Sequence, residues 1–573
     1  MAKVYINSTD RKLFTYGDTT GATVDPGRVI LADGSDHDRV LFTVNKTLPG
    51  PELVVFQGQE VKVRVKNSLV GTETSIHWHG LEMRGTPWMD GAAFVTQCPI
   101  LPGQTFTYKF KVPRAGTFFY HAHSGMQISM GVYGALIVKK KDEVEAAEHV
   151  VMIQDYNNRF TFLDLHTQGL YGIFYPGGAN FFPVRQIDGT ISSVMEMTSS
   201  LINGRGRIMN GANDVTLTPL TVFTVVTGTV YRLRIINTAT ILQYVFSIDG
   251  HKLTVLSVDG NDVKPFETDR VVLHTGERCD VTIQANQPVK NYWVRAETLR
   301  IERQNHVYAI LRYSGANIED PTTVPTTCTI ENPCTVFNCP FLTFPGWSCK
   351  SMDSVETPSA DPVPTADDGP FKEFFVNTGF MFYGGKMVGQ MNGVNNIMPK
   401  VSALTQPNDV TGTCDQFSDC GAEKMCTCTH VISVNMGDVV QLNFLNNGLF
   451  AIAHHSVHTH GYIFRLLKIG NRLSNASWTS PNDVNLGDNE DVDCRSAQRA
   501  TAVCNNATWA NPSWRNGNIP GIKMDHAVWK DTVTVPAGGY AVIRFKADNH
   551  GLWMVHCHME LHSTAMGLVA LFK

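Results

Sequence analysis

The chain has 573 residues, more than one hydrophobic core organises, and at about 150 residues per domain the length points to three or four domains. Hydrophobic residues make up 43% and charged residues 17%, a balance that excludes a disordered chain. The formal net charge of −5 excludes nucleic acid and anionic membrane surfaces as partners, and no apolar stretch approaches the roughly 18–20 residues of a spanning helix.

In chain order, residues 1–142 carry short apolar runs such as ELVVFQG, EVKVRVKN, TFTYKFKV and GALIVKKK, bounded by Gly, Pro and Asn. Residues 143–317 repeat the texture with HVVMIQDY, VYRLRIINTA, KLTVLSVDG and YAILRYSG, and residues 371–573 with KEFFVNTG, VVQLNFLN, YAVIRFKADN and GLVALF. Runs of this length with regular turn signals predict an all-β chain of Greek-key β-sandwiches or barrels. The phrases QGQEVKVRVKNSL, VTGTVYRLRIINTA and NMGDVVQLNFLNN share a turn, an alternating run and an Asn-rich exit, which reads as three diverged copies of one unit. Between the second and third copies, 318–370 is rich in Pro, Thr, Ser and Asp and reads as a linker pinned by disulfides among Cys328, Cys334, Cys339 and Cys349.

The 13 cysteines are an odd number, so at least one thiol is left over if the others pair, and Cys279 has no evident partner. Cys426 and Cys428 beside His430 could form a zinc site, but disulfide pairing is the stronger expectation in a secreted chain. Sequons at Asn7, Asn45, Asn475 and Asn506 support that compartment, whereas the opening Met1-Ala2-Lys3-Val4 is no signal peptide. A secreted monomeric glycoprotein whose leader has been removed is expected.

Four clusters hold ten of the 20 histidines: IHWHG (His77, His79), YHAHSG (His121, His123), HSVHTHG (His455, His458, His460) and HCHMELH (His556, His558, His562). Residues i and i+2 of a strand share one face roughly 6.6 Å apart, so each H-x-H pair presents two imidazoles together. Cys557 with two imidazoles is a blue-copper ligand set, and His455 and His562 are its natural partners because neither belongs to an H-x-H pair. In an extended H-C-H triplet, Cys557 faces away from His556 and His558, so one segment would ligate two metal sites and join them covalently. The remaining eight histidines divide into ligands for three more coppers. One mononuclear copper and a trinuclear cluster store the four electrons that take O2 to water.

These four motifs, with TSIHWHGLEMRGTPWMDG, VTQCPI and INGRG, resemble the multicopper oxidases, and most of all the animal and fungal laccases. The resemblance covers nearly the whole chain and implies three cupredoxin-like domains, with the trinuclear cluster between the first and third. It also implies the ligand sets. His77 and His458 would hold the type 2 copper, and His79, His121 and His558 one type 3 copper. His123, His460 and His556 would hold the other, and His455, Cys557 and His562 the type 1 copper. Asp90, in the W-x-D-G phrase, resembles the carboxylate that relays protons, although an Asp before Gly91 is also an ordinary turn pair.

Two positions depart from the family pattern. Ser456 stands where proline is expected, which predicts an altered turn with the ligand spacing kept. The axial position of the type 1 site, five residues after the last histidine, falls on Gly567, which cannot ligate. One residue inserted after His562 would place Leu568 there, with Met566 as the rival. His454 and the other histidines outside the motifs read as structural or surface residues. The resemblance implies one-electron oxidation of phenols or aromatic amines at a shallow site beside His455 or His562, coupled to reduction of O2. A metallo-oxidase acting on Fe2+ or Cu+ is the alternative.

Overall fold

The structure is a computed structural model that describes the chain apart from residues 1–3, 7–11, 16–19, 26, 28, 37–38, 142–146, 159–183, 194–196, 211–212, 302–304, 384–385, 417–424, 447–452, 473–488 and 493–508. Strands dominate, as the alternating runs predict. A first unit holds a four-stranded sheet ordered Leu53–Phe56, Tyr133–Lys139, Gly116–Ala122, Ile76–His79, with Glu60–Lys66 pairing Thr105–Lys111 beside it. A second unit is built on six-stranded and seven-stranded sheets, and a third on eight-stranded and five-stranded sheets. One apolar cluster runs from Trp78 and Phe118 through Val255 and Val281 to Val533 and Trp553, so apolar contact is continuous across the units.

The shared phrase has one structure in all three copies. Gly58, Gly228 and Gly437 take the left-handed φ values of 84°, 89° and 92° that open each strand. Their N–H groups donate to the carbonyls of Val112, Ala285 and Ala547, just past the antiparallel partner strand. The strands Glu60–Lys66, Val230–Asn237 and Val439–Leu445 follow. Each run ends on a buried asparagine whose side-chain amide donates to two carbonyls of other segments: Asn67 to Thr72 and Ile100, Asn237 to Leu242 and Leu273, and Asn446 to Ala453 and Val535. The Asn-rich exit is thus a staple that closes each sandwich.

Residues 318–370 carry more structure than a linker. Cys334–Phe337 and Trp347–Lys350 pair in parallel and extend the second unit's seven-stranded sheet from Arg270–Leu273. Disulfides Cys328–Cys334 and Cys339–Cys349 staple that extension. Cys414 bonds Cys428, and Cys426 is disulfide-bonded as well, which removes the zinc alternative. More than one thiol is left over: Cys98, Cys279 and Cys557 are all free, which leaves at most five disulfides among the 13 cysteines. Cys279 lies buried in the Arg278–Gln284 strand, where its thiol packs as a small apolar group. Cys420, Cys494, Cys504 and the sequons at Asn7, Asn475 and Asn506 lie outside the described residues. Asn45 is exposed at a turn with φ 51°.

Candidate metal centre

The four histidine clusters arrive on two pairs of antiparallel strands. Ile76–His79 pairs Gly116–Ala122 with His77 opposite His121, and His455–Thr459 pairs Trp553–Cys557 with His458 opposite His556. Strand alternation sends Trp78 into the apolar core against Tyr108 and Phe110, while His77 and His79 face the seam. His123, His460 and His558 follow directly on their strands. Eight rings from the first and third units therefore meet in one buried seam, with centroids such as His77–His460 at 3.9 Å, His79–His458 at 3.8 Å and His123–His556 at 5.2 Å.

Hydrogen bonds fix which nitrogen six of the eight rings offer. His77 Nδ1–H donates to the Asp90 carbonyl at 2.8 Å, and His458 Nδ1–H to the Asp531 carbonyl at 2.8 Å. His460 Nδ1–H donates to Asp90 Oδ2 at 2.8 Å, His556 Nδ1–H to the Cys557 carbonyl at 2.9 Å and His121 Nδ1–H to the Ala122 carbonyl at 2.9 Å. His79 is reversed: Nε2–H donates toward Thr532 Oγ1 at 3.1 Å and Asp531 Oδ1 at 3.3 Å, which frees Nδ1. Lone pairs are then left pointing inward. His77 and His458 approach Nε2 to Nε2 at 3.4 Å, and His460 and His556 at 3.2 Å, with no proton to share. His79 Nδ1, His121 Nε2 and both nitrogens of His558 are buried without a hydrogen-bond partner. Desolvation holds His79, His121, His123, His458 and His556 well below the usual imidazole range, so they stay neutral. Neutral nitrogens converging without protons fit a cluster of cations.

Cys557 lies on the other face of the His556–His558 segment. Its Sγ is 3.6 Å from His455 Nδ1 and 3.5 Å from His562 Nδ1, and the three ligand atoms form one compact set. Burial pushes the bare thiol up to about 12, so a metal taken here displaces its proton. One thiolate with two imidazoles suits copper. His562 starts a departure from helical geometry: Leu561–Ala565 is a π-helical turn, closed by Met566 N–H donating to the Leu561 carbonyl at 3.1 Å. A π turn is what one extra residue makes of an α turn.

Asp90 caps a 3-10 turn over Pro87–Met89, and its carboxylate lies between His77 Nδ1 at 3.3 Å and His460 Nδ1 at 2.8 Å. Burial alone would raise its pKa, but His460 and His77 outweigh that and hold it below the carboxylate range. Gly91 must be glycine: a Cβ there would stand 1.9 Å from the Ile76 carbonyl oxygen.

One expectation is corrected, and the structural reading of His454 stands. Ser456 introduces no altered turn; it stays in the strand opposite Thr534, and its hydroxyl donates to the Thr275 carbonyl at 2.6 Å. His454 belongs to no metal group among the described residues; it bonds Asp188 Oδ2 at 3.1 Å and accepts from Ala537 N–H. Several residues at the site carry no sequence signal. Asp531 and Thr532 orient His79 and His458. Glu560, raised to about 8 by burial, accepts from the Ile128 and Ser129 N–H groups at 2.7 and 3.0 Å and ties the first unit to the H-C-H segment.

The chain is similar to known proteins. Three family models, each described as multicopper oxidase, match residues 27–143, 184–316 and 396–573. The chain belongs to the multicopper oxidase family and is a copper-binding oxidoreductase. Its similarity within that family is to laccases: the laccase of Trametes maxima is 28% identical over 92% of this chain and 88% of its own length. Laccase-2 of Trametes versicolor is 29% identical over 93% and 86%. Among solved structures, the laccase of Botrytis aclada superposes with a TM-score of 0.67 at 25% identity over 96% of this chain and 85% of its own. Fet3p, a multicopper oxidase that functions in iron import, shares the fold with a TM-score of 0.69 at 22% identity over 94% and 87%. The chain is accordingly of laccase type.

Proposed function

We propose that the seam holds four coppers: type 2 on His77 and His458, one type 3 on His79, His121 and His558, the other on His123, His460 and His556, and type 1 on His455, Cys557 and His562. The observation that carries this is the set of facing, proton-free nitrogens, which would repel one another without a cation between them. Bound copper supplies one-electron redox chemistry at the thiolate site and a place where O2 takes up four electrons.

The chain's own residues shape the rest. His562, 6% exposed against 0% for His455, offers the outer edge of the type 1 site to a phenol or aromatic amine. Phe380 packs on both rings, 5.1 and 4.6 Å away, and keeps water from them. The Cys557 backbone runs directly into His556 and His558, a covalent path between the two sites. Asp90, bonded to one imidazole of each pair, is placed to hold or pass a proton at His460 Nδ1. The π turn supports Leu568 as the axial residue, since it accounts for one residue more than the family spacing. We also propose that the chain acts as a secreted monomer.

Copper analysis together with substrate-dependent oxygen uptake tests this reading. Four coppers per chain, water as product and preference for a phenol over Fe2+ are expected. Two coppers, or peroxide as product, would overturn it, and a strong preference for Fe2+ would move the chain to the metallo-oxidase reading.

A further inference from the structure

We propose that Arg278, in the middle unit that supplies no ligand, is a positioning residue for the trinuclear cluster, acting through Asp531. This rests on the ligand assignment above. Arg278 opens the Arg278–Gln284 strand and is fully buried. Its guanidinium grips both carboxylate oxygens of Asp531, with Nη1 donating to Oδ1 at 2.7 Å and Nη2 donating to Oδ2. A bidentate fork fixes both the position and the rotation of a carboxylate, which a single contact does not. Asp531 Oδ1 is the oxygen that faces His79 Nε2, and Thr532 Oγ1, which also meets His79 and His458, donates to that same oxygen at 2.9 Å. The grip therefore fixes the residue that holds both His79, through Oδ1 at Nε2, and the proposed type 2 ligand His458, whose Nδ1–H donates to the Asp531 carbonyl at 2.8 Å.

The fork is itself anchored on the other two units and on its own. Arg278 Nε donates to the Thr117 carbonyl of the first unit at 3.2 Å, and Nη1 to the Gly276 carbonyl at 3.0 Å. Lys530, next to Asp531, bridges Asp259 at 2.9 Å and Glu277 at 3.3 Å across the same seam. Arg278 also meets Asp259 at 3.5 Å. Five buried charged groups, Arg278, Lys530, Asp259, Glu277 and Asp531, stand within ion-pair distance of one another here, so the network tolerates few geometries. The neighbouring turn adds a steric limit: a Cβ on Gly276 would stand 2.9 Å from the His558 ring.

Arg278→Lys and Arg278→Gln, prepared as copper-loaded enzyme, test the assignment. Partners that orient ligands typically contribute about 10–100-fold in metal affinity. Both variants should keep the blue type 1 absorbance, release type 2 copper to a chelator at about 10–100-fold lower chelator concentration, and show an altered type 2 paramagnetic resonance spectrum. Lys, which keeps the charge but loses the fork, should lie nearer the parent than Gln. An unchanged type 2 spectrum and affinity in either variant overturns the proposal. Loss of type 1 and type 2 signals together overturns it too, since that is a general loss of structure. The parent enzyme separates the two readings: without a type 2 signal in the parent the ligand assignment itself fails, whereas a normal parent with unaffected variants removes only Arg278.

Discussion

Cys557 sits at the junction of two chemistries, because its side chain and its two neighbours face opposite ways from one strand end. Cys557→Ser keeps the volume and removes the soft ligand, so blue absorbance and turnover should vanish together, read by visible spectroscopy and oxygen uptake. Intact turnover in that variant would sink the idea that this segment connects the sites. His274 gives a different readout at the same scale. It is buried in the turn before Arg278, and desolvation lowers its pKa from 6.5 to about 4. Between those values the unfolded chain binds a proton that the folded chain refuses, so His274 subtracts stability as pH falls from about 6.5 toward 4. His274→Gln should flatten the pH dependence of unfolding in that window by up to about 1.4 kcal/mol per pH unit, measured by urea denaturation of both proteins. A parallel pair of curves would remove His274 from the acid sensitivity.

The π turn after His562 is the element where sequence and structure most usefully differ. Counting residues puts glycine at the axial position; allowing for the π turn favours the proposed Leu568. Deleting the exposed Thr564 should convert the π turn to an α turn and bring Leu568 to the family's spacing, five residues after His562. The blue absorbance should survive that deletion, and its loss would favour Met566. Leu568→Met is expected to lower the type 1 reduction potential, measured by redox titration, because a thioether is a coordinating axial ligand and leucine is not.

At this scale it is also plain what could be read from the residues. The gathering of the histidines was legible because H-x-H on a strand is a local pattern: alternation alone puts both rings on one face. The three sandwiches were legible because the Gly–strand–Asn phrase encodes a left-handed turn and a closing staple. The strands within 318–370 were hidden by Pro- and Cys-rich composition, and they form only by pairing with Arg270–Leu273. Asp531 and Arg278 were hidden for a different reason. They are 253 positions apart, and nothing local marks either one until folding brings their buried charges together.

Over the whole molecule, the histidine seam is also the contact between the first and third units, so the proposed copper occupancy would be coupled to domain packing. Removing copper should lower the thermal midpoint and sharpen acid unfolding, because bare imidazole clusters hold facing lone pairs. Each site kept at a hundred times its dissociation constant contributes about 2.7 kcal/mol, so calorimetry with and without chelator should show a large, reversible shift. Gly116 reports on the other seam. A Cβ there would stand 2.5 Å from the Gly260 carbonyl oxygen of the second unit, so Gly116→Ala should destabilise that contact while leaving the ligand strands paired.

The split of the ligands between residues 77–123 and 455–562 has a consequence for how the protein is made. At about 5–20 residues per second, a ribosome takes roughly 20–90 s to pass from the second histidine pair to the H-C-H segment. For that interval the first sandwich can exist with four exposed imidazoles and nothing opposite them. On the proposed ligand assignment, a complete cluster waits for the H-C-H segment to emerge, and a chain ended before that segment has half a cluster and no thiolate site. Passage of the H-C-H segment is in effect a licence for the redox centre, written into the order of the histidine clusters.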